Sequence, residues 1–384
     1  MLIALQIVAG LVLLVFGGEL LVKGAVSLAA SCKISPLVIG LTVVAFGTSA
    51  PELGVSLHAA NTGSPEVAIG NVVGSNIINV LFVLGASALV TPLIVSSQLI
   101  RLDVPLMIAA SVTMWIMAAD GVVQQWEGAC LFIALIVYIV FCIRKSRCEH
   151  QDVHDEFAGQ REQSNSRVRH LLGQIGLLIA GLVLLGFGSH WLVDGAVTVA
   201  QWLGISKLII GLTVVAIGTS LPEVVTSVVA SLRGERDIAV GNVVGSNLFN
   251  ILCVLGLTSL VSPTGIPVAP TAITFDIPVM VLVAVICFPI FLTGSVIRRW
   301  EGGLFLFYYV AYTTFLVLAA MGTGLGMAKS IGFVLLPLTA VALVMSFMQS
   351  DDDKTEALND QSSEDDQSAL ATSASESSSA NTET

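Results

Sequence analysis

Residues 40–85 read GLTVVAFGTSAPELGVSLHAANTGSPEVAIGNVVGSNIINVLFVLG, and residues 211–256 read GLTVVAIGTSLPEVVTSVVASLRGERDIAVGNVVGSNLFNILCVLG. The two stretches align without a gap and are identical at 27 of 46 positions. The match continues, with small shifts, as far as the Trp-Glu-Gly triplets that begin at Trp126 and Trp300. A repeat of this length indicates that the chain consists of two structurally related halves.

Both halves are apolar enough to lie in a bilayer. Hydrophobic residues make up 55% of the 384 residues and charged residues 11%, against about 25% charged residues in soluble domains. A helix needs about 20 mostly apolar residues to cross the hydrocarbon core, and helices are expected because lipid does not tolerate unpaired backbone polar groups. Eleven segments meet this condition: 5–30, 36–60, 66–91, 103–119, 126–143, 174–200, 206–231, 237–261, 276–293, 300–320 and 330–348.

The number of spans in each half determines how the halves are related. Each half contains five spans, so the second half must enter the membrane upside down relative to the first. The sequence therefore predicts an all-α membrane protein of two inverted-topology repeats of five transmembrane helices, with an eleventh C-terminal helix. Transporters of this kind bind their substrate near the bilayer midplane, between the repeats. The alternative is a duplication retained for structural reasons alone. The predicted divisions are a first repeat 1–143, a charged linker 144–173, a second repeat 174–320, an extra span 321–350 and a tail 351–384.

The basic residues predict the orientation. With the N-terminus outside the cell, the outer connections carry only Lys207 and Lys329, and the other basic residues of the connections lie in the cytoplasm. This is a strong positive-inside asymmetry. The linker and the tail are then cytoplasmic, in a multi-pass protein of the cell (inner) membrane. The tail holds ten of the acidic residues and one lysine, and we expect it to be disordered.

The composition excludes several classes of function. The net charge of −11 comes mainly from the tail, and no basic patch of the density needed for nucleic-acid binding is present. The six cysteines are scattered, which argues against a disulfide framework or a zinc site. No HExxH cluster is present, so an intramembrane metalloprotease is not expected. We expect no enzymatic activity and no cofactor. The sequence does not indicate an oligomeric state.

The hexapeptides GTSAPE (47–52) and GTSLPE (218–223) place polar groups in the middle of the second and seventh spans. A proline in a helix lacks an N–H and clashes with the carbonyl four residues earlier, so each motif frees backbone carbonyls. Together with the Ser and Thr hydroxyls and the carboxylates of Glu52 and Glu223, these are hard oxygen ligands that suit Ca²⁺, Na⁺ or Mg²⁺. A membrane-buried carboxylate costs at least ~2.5 kcal/mol, so bound cations or protons are expected. The alternative is a protonated structural Glu in each repeat.

A second pair of motifs, GNVVGSNIIN (70–79) and GNVVGSNLFN (241–250), places an amide, a hydroxyl and an amide at intervals of four residues, on one helical face. Such a stripe either contributes ion ligands or binds neighbouring helices. These residues are Asn71, Ser75 and Asn79 in the first repeat and Asn242, Ser246 and Asn250 in the second.

Other charged residues have structural explanations. Glu19 and Lys23 are four residues apart, as are His190 and Asp194, so each pair is expected to neutralise itself along one helix. Two further acids precede a proline by two residues and are expected to be helix N-caps. These are Asp103 and Asp276.

At the repeated motifs the chain resembles the cation/calcium exchanger superfamily, and within it the prokaryotic sodium/calcium exchanger branch. The paired GTS-x-PE and GN-x-x-GSN-x-x-N signatures carry the resemblance, which covers residues 5–320. It implies ten helices in two inverted repeats, with an ion site between helices two, three, seven and eight. It also implies that Glu52 and Glu223 are the main Ca²⁺ ligands and that Asn79 and Asn250 complete the centre.

The resemblance implies roles for further oxygens. Thr48 and Thr219 would provide backbone oxygens, and the Na⁺ sites would use Ser49, Ser75, Ser220 and Ser246 with the carbonyls of Ala45 and Ala216. In one respect the sequence departs from the family, because several relatives carry Asp at the position of Asn250 or Asn79. Here both residues are Asn, so the site holds two carboxylates at most.

The predicted function is secondary active antiport of Ca²⁺ and Na⁺ by alternating access. An empty site leaves two carboxylates in a medium of low dielectric constant, which disfavours the switch between the two sides until cations compensate them. Two alternatives stay open. One is a proton-coupled cation antiporter, since two Glu can carry protons. The other is a passive cation channel.

Overall fold

The structure, a computed structural model, describes residues 2–154, 164–205, 210, 214, 216–292 and 294–321. The chain divides into a unit 1–331 and a unit 332–384, and every described residue belongs to the first unit. The predicted eleventh span 330–348 and the acidic tail lie outside the described residues. So does most of 206–215, the beginning of the predicted seventh span.

The first half is helical, with short strands in two connections. Its elements are α1 (Leu2–Cys32), α2 (Pro36–Ile39), a π-helical segment Gly40–Val44, α3 (Ala45–Thr48), α4 (Ala50–Asn61), α5 (Glu66–Ile78), a π-helical segment Asn79–Leu84, α6 (Gly85–Val90), β1 (Leu93–Ile94), a π-helical segment Leu99–Asp103, α7 (Val104–Met117), a 3₁₀ turn Ala118–Asp120, β2 (Val122–Val123) and α8 (Gln125–His154).

The second half repeats this order. Its elements are α9 (Ser164–Trp202), α10 (Ala216–Thr219), α11 (Leu221–Leu232), α12 (Arg236–Phe249), a π-helical segment Asn250–Leu255, α13 (Gly256–Val261), β3 (Ile266–Pro267), a π-helical segment Ala272–Asp276, α14 (Ile277–Leu292), β4 (Val296–Ile297) and α15 (Arg299–Ala320). Helices α8 and α9 extend into the stretch 144–173 for which the sequence predicts a charged linker.

The described helices agree with the predicted spans. Eight of them are long and apolar enough to cross a membrane, and the pair 36–48 and 50–61 forms a ninth span that bends by 42° at its break. Helix α11 is a shorter apolar helix of 12 residues. Many large apolar side chains of α1, α8 and α9 are exposed, as lipid-facing residues should be.

Two small strand pairs show how the halves are oriented. Strand β1 pairs with β4, and β2 pairs with β3, both antiparallel. The helical stretch 99–120 between β1 and β2 is about 33 Å long, so these two strands lie at opposite ends of the membrane-spanning body. Because β3 pairs with β2, the equivalent strands β1 and β3 also lie at opposite ends. The two halves are therefore inverted relative to each other.

Helices α1 and α9 cross with their backbones in contact. A Cβ atom added at Gly181 would lie 2.7 Å from the Leu21 nitrogen and 2.8 Å from the Gly17 carbonyl oxygen. Gly10 and Gly188 meet in the same way further along the two helices. Small residues at such crossings allow the close approach that drives helix association in lipid.

The two expected charge pairs have different outcomes. Nε2 of His190 lies 3.3 Å from Oδ2 of Asp194 within α9, as the sequence predicts. Glu19, however, forms an ion pair with Arg233 just beyond the end of α11, so the predicted pairing with Lys23 is wrong. Packing of α1 against α11 brings Arg233 within reach, which the spacing along one helix cannot reveal.

The glycine contact between α1 and α9 gives a first prediction. Gly181→Ala should destabilise the protein by ~1–3 kcal/mol, because the added methyl group meets backbone atoms that cannot move aside without separating the helices. Gly186→Ala is the matched control, since no described atom lies within 4 Å of a Cβ at that position. Thermal unfolding of the two variants in detergent should differ clearly. Equal melting temperatures would show that this contact does not hold α1 and α9 together.

Candidate ion-binding site

Each GTS-x-PE motif lies at a break between two helices. The backbone leaves the helical conformation at Ser49 (φ −82°, ψ 3°), between α3 and α4, and at Ser220 (φ −89°, ψ 6°), between α10 and α11. The proline of each motif then occupies the first turn of α4 or α11, where a missing N–H costs nothing. Glu52 and Glu223 lie in the same first turns, where the helix dipole favours negative charge.

The two carboxylates are buried and close together. The exposed fractions are 0% for Glu52 and 1% for Glu223, and the two groups interact electrostatically. The hydroxyls of Ser75 and Ser220 lie beside the Glu52 carboxylate, but neither of its oxygens has a hydrogen bond of ordinary geometry among the described residues. Oε1 of Glu223 accepts a bond of 3.4 Å from the Ser49 hydroxyl, and its Oε2 has no partner in the described part of the chain.

Thr48 links the first break to the second repeat. Its hydroxyl donates to Oδ1 of Asn242 at 3.1 Å, and it lies 3.4 Å from the hydroxyl of Ser246. It also lies beside the Glu223 carboxylate. The structure thus brings Thr48 and Ser246 to the predicted site.

The first asparagine of each amide stripe has a structural role. Nδ2 of Asn71 donates to the backbone oxygen of Glu52 at 3.0 Å and to the hydroxyl of Ser56 at 2.9 Å. Nδ2 of Asn242 makes the equivalent bonds, to the Glu223 backbone oxygen at 3.5 Å and to the Ser227 hydroxyl at 2.9 Å. Each amide therefore fastens a glutamate-bearing helix to its neighbour.

The last asparagine of each stripe is different. Asn79 and Asn250 are both fully buried and begin the two π-helical segments that follow α5 and α12. The segment that begins with Asn79 packs against α11, and the segment that begins with Asn250 packs against α4. Nδ2 of Asn250 donates to Oδ1 of Asn76 at 3.1 Å. Its own Oδ1, and both polar atoms of Asn79, have no partner in the part of the chain that the structure describes.

These unpaired atoms define the chemistry of the site. Buried polar atoms in proteins are nearly always hydrogen-bonded, so a group of buried oxygens without protein donors points to a ligand that supplies positive charge. Among the described residues, no group of three or more His, Cys, Asp and Glu could hold a metal, so the site has two carboxylates. At the predicted ligand positions, the unpaired oxygens are Oε1 and Oε2 of Glu52, Oε2 of Glu223, Oγ of Ser220, and Oδ1 of Asn79 and Asn250.

The remaining predicted residues lie in α3 and α10, the short helices that precede the breaks. The Ala45 carbonyl accepts the Ser49 N–H at 3.0 Å, and the Thr48 hydroxyl lies 3.4 Å from it. Ala216 begins α10, three residues before Thr219. The carbonyl of Gly218, which Pro222 frees, accepts a bond of 2.6 Å from the hydroxyl of Ser189 in α9. Ser189 lies outside the repeated motifs, so its role is not evident from the sequence.

A cavity of about 500 Å³ leads to one side of the site. Ser75 and Thr219 line it, as do Val67 and Ala272, which lie near the chain turns at the end of the protein that carries β2 and β3. Asp276 lies in its wall and accepts a bond of 3.4 Å from the hydroxyl of Tyr312. This cavity therefore lies toward the end of the membrane-spanning body at which α1 begins.

The equivalent acid of the first repeat is enclosed. Asp103 is fully buried and accepts bonds from Tyr138 at 3.0 Å and from Gln98 at 3.3 Å. Its side chain does not cap α7, so the predicted N-cap role is wrong. The helix continues upstream through the π-helical segment, which leaves the carboxylate free to bind Tyr138.

Known proteins share this architecture. The family model described as sodium/calcium exchanger protein matches residues 2–144 and 173–318, which are the two halves. Over 257 residues the chain is 41% identical to the putative antiporter CaxA of Alkalimonas amylolytica, covering 67% of this chain and 80% of that protein. Over 340 residues it is 32% identical to the sodium/calcium exchanger MaX1 of Methanosarcina acetivorans, covering 80% of this chain and 96% of that protein.

A solved structure is similar as well. The sodium-calcium exchanger NCX_Mj, soaked with 10 mM Na⁺ and zero Ca²⁺, aligns with a TM-score of 0.69 at 32% sequence identity, over 80% of this chain and 97% of that one. The family match extends across both repeats and includes the helix breaks that carry the two buried glutamates. The chain is a multi-pass membrane protein that belongs to the sodium/calcium exchanger family.

Proposed function

We propose that this protein exchanges Ca²⁺ for Na⁺ across the cell membrane, at one site between the two helix breaks. The observation that carries the proposal is the pair of buried carboxylates, one from each inverted repeat, of which three oxygens have no described protein donor. Membership of the exchanger family and the similarity to MaX1 and NCX_Mj support Ca²⁺ and Na⁺ as the transported ions. The ions are substrates, and the function requires no cofactor and no enzymatic step.

The donor set suits Ca²⁺. This ion takes six to eight oxygen ligands at about 2.3–2.6 Å, including bidentate carboxylates and amide oxygens. Glu52 and Glu223 provide the charge, and Asn79 and Asn250 provide neutral oxygens. Na⁺ would use the hydroxyl-rich positions around them together with backbone carbonyls. These positions are Thr48, Thr219, Ser49, Ser220, Ser75, Ser246, Ala45 and Ala216.

Electrostatics couples the two ions. Without a cation, two carboxylates stay buried at low dielectric constant, where an unpaired charge is costly. One Ca²⁺ or two monovalent ions neutralise them, so the loaded protein switches sides and the empty protein does not. Ca²⁺ and Na⁺ therefore leave and enter the same site in alternation, which is exchange.

The packing around the site differs between the two repeats, which supports a carrier over a channel. Thr219 lines the cavity of about 500 Å³. The equivalent Thr48 is bonded to Asn242 and lies against Ser246. Alternating access requires two unequal arrangements of the same parts, whereas a channel does not.

The proposal includes the orientation of the protein in the membrane. Most basic residues of the connections lie at the end opposite the cavity, so the positive-inside rule places the cavity and the N-terminus outside the cell. The linker 144–173 and the tail 351–384 are then cytoplasmic, in the inner membrane of a prokaryotic host. In a cell with an inward Na⁺ gradient, the exchanger exports Ca²⁺.

Glutamine substitutions test the site. Glu52→Gln or Glu223→Gln removes a buried charged ligand, which costs ~2–5 kcal/mol and should lower Ca²⁺ affinity at least about 30-fold. In proteoliposomes with a Na⁺ gradient, ⁴⁵Ca²⁺ uptake by either variant should fall to background. Glu66→Gln is the matched control, because Glu66 is exposed in the first turn of α5. Normal uptake by either site variant would reject the assignment, and uptake by the wild type that follows a pH gradient and not a Na⁺ gradient would establish the proton-coupled alternative.

Cysteine labelling tests the orientation. In a background with all six native cysteines replaced by serine, Thr313→Cys should react from outside the cell with a membrane-impermeant thiol reagent, because Thr313 lines the cavity. Ile139→Cys, the equivalent position of the first repeat, should not react from outside. Reaction of Thr313→Cys from the cytoplasmic side alone would invert the proposed topology.

A further inference from the structure

The motifs at 70–79 and 241–250 each contain a middle asparagine that has no role in the proposed ion site. Asn76 and its counterpart Asn247 follow the serines of the GSN triplets and are each 2% exposed. The Nδ2 atom of Asn76 donates to the backbone oxygen of Asn247 at 3.4 Å and to the Sδ atom of Met280 at 3.6 Å. Its Oδ1 accepts the bond of 3.1 Å from Asn250.

These contacts fix which way the Asn76 amide faces. A thioether sulfur and a backbone carbonyl can only accept hydrogen bonds, so both require the NH₂ end of the amide. Turning Asn76 over would place its oxygen against the sulfur and the carbonyl and would leave the buried NH₂ group facing the Asn250 amide. The oxygen of Asn76 therefore stays directed at Asn250.

A fixed Asn76 in turn fixes Asn250. Because Oδ1 of Asn76 can only accept, Asn250 must present its NH₂ group to it, and the Asn250 oxygen is left on the other side. That oxygen is the buried Oδ1 without a described partner. If Asn250 turned over, it would present an NH₂ group, with partial positive charge, where a cation ligand is needed.

We propose that Asn76 is a positioning residue, which acts through Asn250 and keeps the amide oxygen of Asn250 directed at the cation. The inference rests on the function proposed above. Its chain of contacts runs from Met280 in α14 through Asn76 in α5 to Asn250 after α12, so the second repeat orients its own ligand through a residue of the first.

The inverted repeat contains the same parts. Nδ2 of Asn247 donates to Sδ of Met107 at 3.3 Å, which fixes the orientation of Asn247 as Met280 fixes that of Asn76. Within the described residues, Oδ1 of Asn247 and both polar atoms of Asn79 lack partners. The counterpart of the Asn250–Asn76 bond, from Asn79 to Asn247, is absent among the described residues. The complete contact at Asn250 is the one that the experiment addresses.

The experiment is a double-mutant cycle on the full-length protein in proteoliposomes. The KM for ⁴⁵Ca²⁺ under a Na⁺ gradient is measured for the wild type, Asn76→Leu, Asn250→Asp and the double variant. Leucine has the same branched skeleton of side-chain heavy atoms as asparagine but has no polar atoms. Aspartate at 250 presents an oxygen whichever way it turns, so it does not need Asn76 to orient it.

Asn76→Leu alone should raise the KM for Ca²⁺ about tenfold or more. In the Asn250→Asp background the same substitution should change the KM less than about threefold. Met280→Leu should raise the KM in the same direction by a smaller factor, and it keeps the proposal testable if Asn76→Leu does not fold. Equilibrium ⁴⁵Ca²⁺ binding to the purified protein gives the corresponding Kd values where turnover is too slow for a KM.

Ser87→Ala is the control, because Ser87 is a buried hydroxyl of the same span in α6 and has no role in the site. Its KM should equal that of the wild type. An unchanged KM in Asn76→Leu, or an equal rise in both backgrounds, would overturn the positioning role and leave Asn76 as a packing residue. Absence of Na⁺-dependent uptake by the wild type would instead reject the proposed function.

Discussion

Two carboxylates buried side by side in the middle of a membrane protein are the constraint on which the rest of this structure depends. Glu52 and Glu223 repel each other, and the described groups beside them are hydroxyls that offset little of the charge. The fold moderates the cost by placing each glutamate in the first turn of a half-helix, where the dipole is favourable. The helix breaks at Ser49 and Ser220 are therefore part of the electrostatics, since an unbroken helix has no free N-terminus at mid-membrane.

The repeat lets one sequence pattern pack in two ways. Gly245 in α12 is in tight contact with the first repeat, since an added Cβ would lie 2.7 Å from the Leu41 carbonyl oxygen. At the equivalent Gly74 no described atom lies within 4 Å of such a Cβ. Thr48 is bonded across the repeats, and its counterpart Thr219 lies on the cavity. Two halves with nearly the same residues thus hold a packed and a more open arrangement at once, and an exchange of the two arrangements is the simplest route to access from the other side.

Much of the architecture could be predicted from the sequence, because bilayer thickness, helix periodicity and the chemistry of proline are local constraints. They indicate the spans, the breaks at residues 47–52 and 218–223, and the mid-membrane carboxylates. Contacts between helices could not be predicted in the same way. Glu19 binds Arg233 and Asp103 binds Tyr138 because packing brings these partners together. The sequence spacing instead predicted that Glu19 pairs with Lys23 and that Asp103 caps a helix.

The same limit applies inside the site. Asn76 and Asn247 occupy equivalent positions in the two GSN triplets. Helical periodicity, however, places them beside the polar face of each helix and not on it. The orientation of their amides is fixed by Met280 and Met107, which lie more than 100 residues away in the sequence. A hydropathy pattern treats these methionines as apolar side chains, although their sulfur atoms accept hydrogen bonds. A sulfur atom that can only accept is what gives the amides a direction.

In the proposed site, amides at positions 79 and 250 take the place of carboxylates, so the orientation of each amide becomes important. A third carboxylate would add an oxygen ligand in any rotamer, but it would also add a charge that one Ca²⁺ cannot neutralise. An asparagine adds the oxygen without the charge, so two carboxylates and one divalent cation form a neutral centre. The disadvantage is that an amide can also present its NH₂ group, which does not bind a cation. Orientation then has to be imposed from outside the ligand shell, and in this protein the described contacts impose it on Asn250 from the opposite repeat. The orientation of Asn250 therefore depends on how the two inverted halves pack against each other.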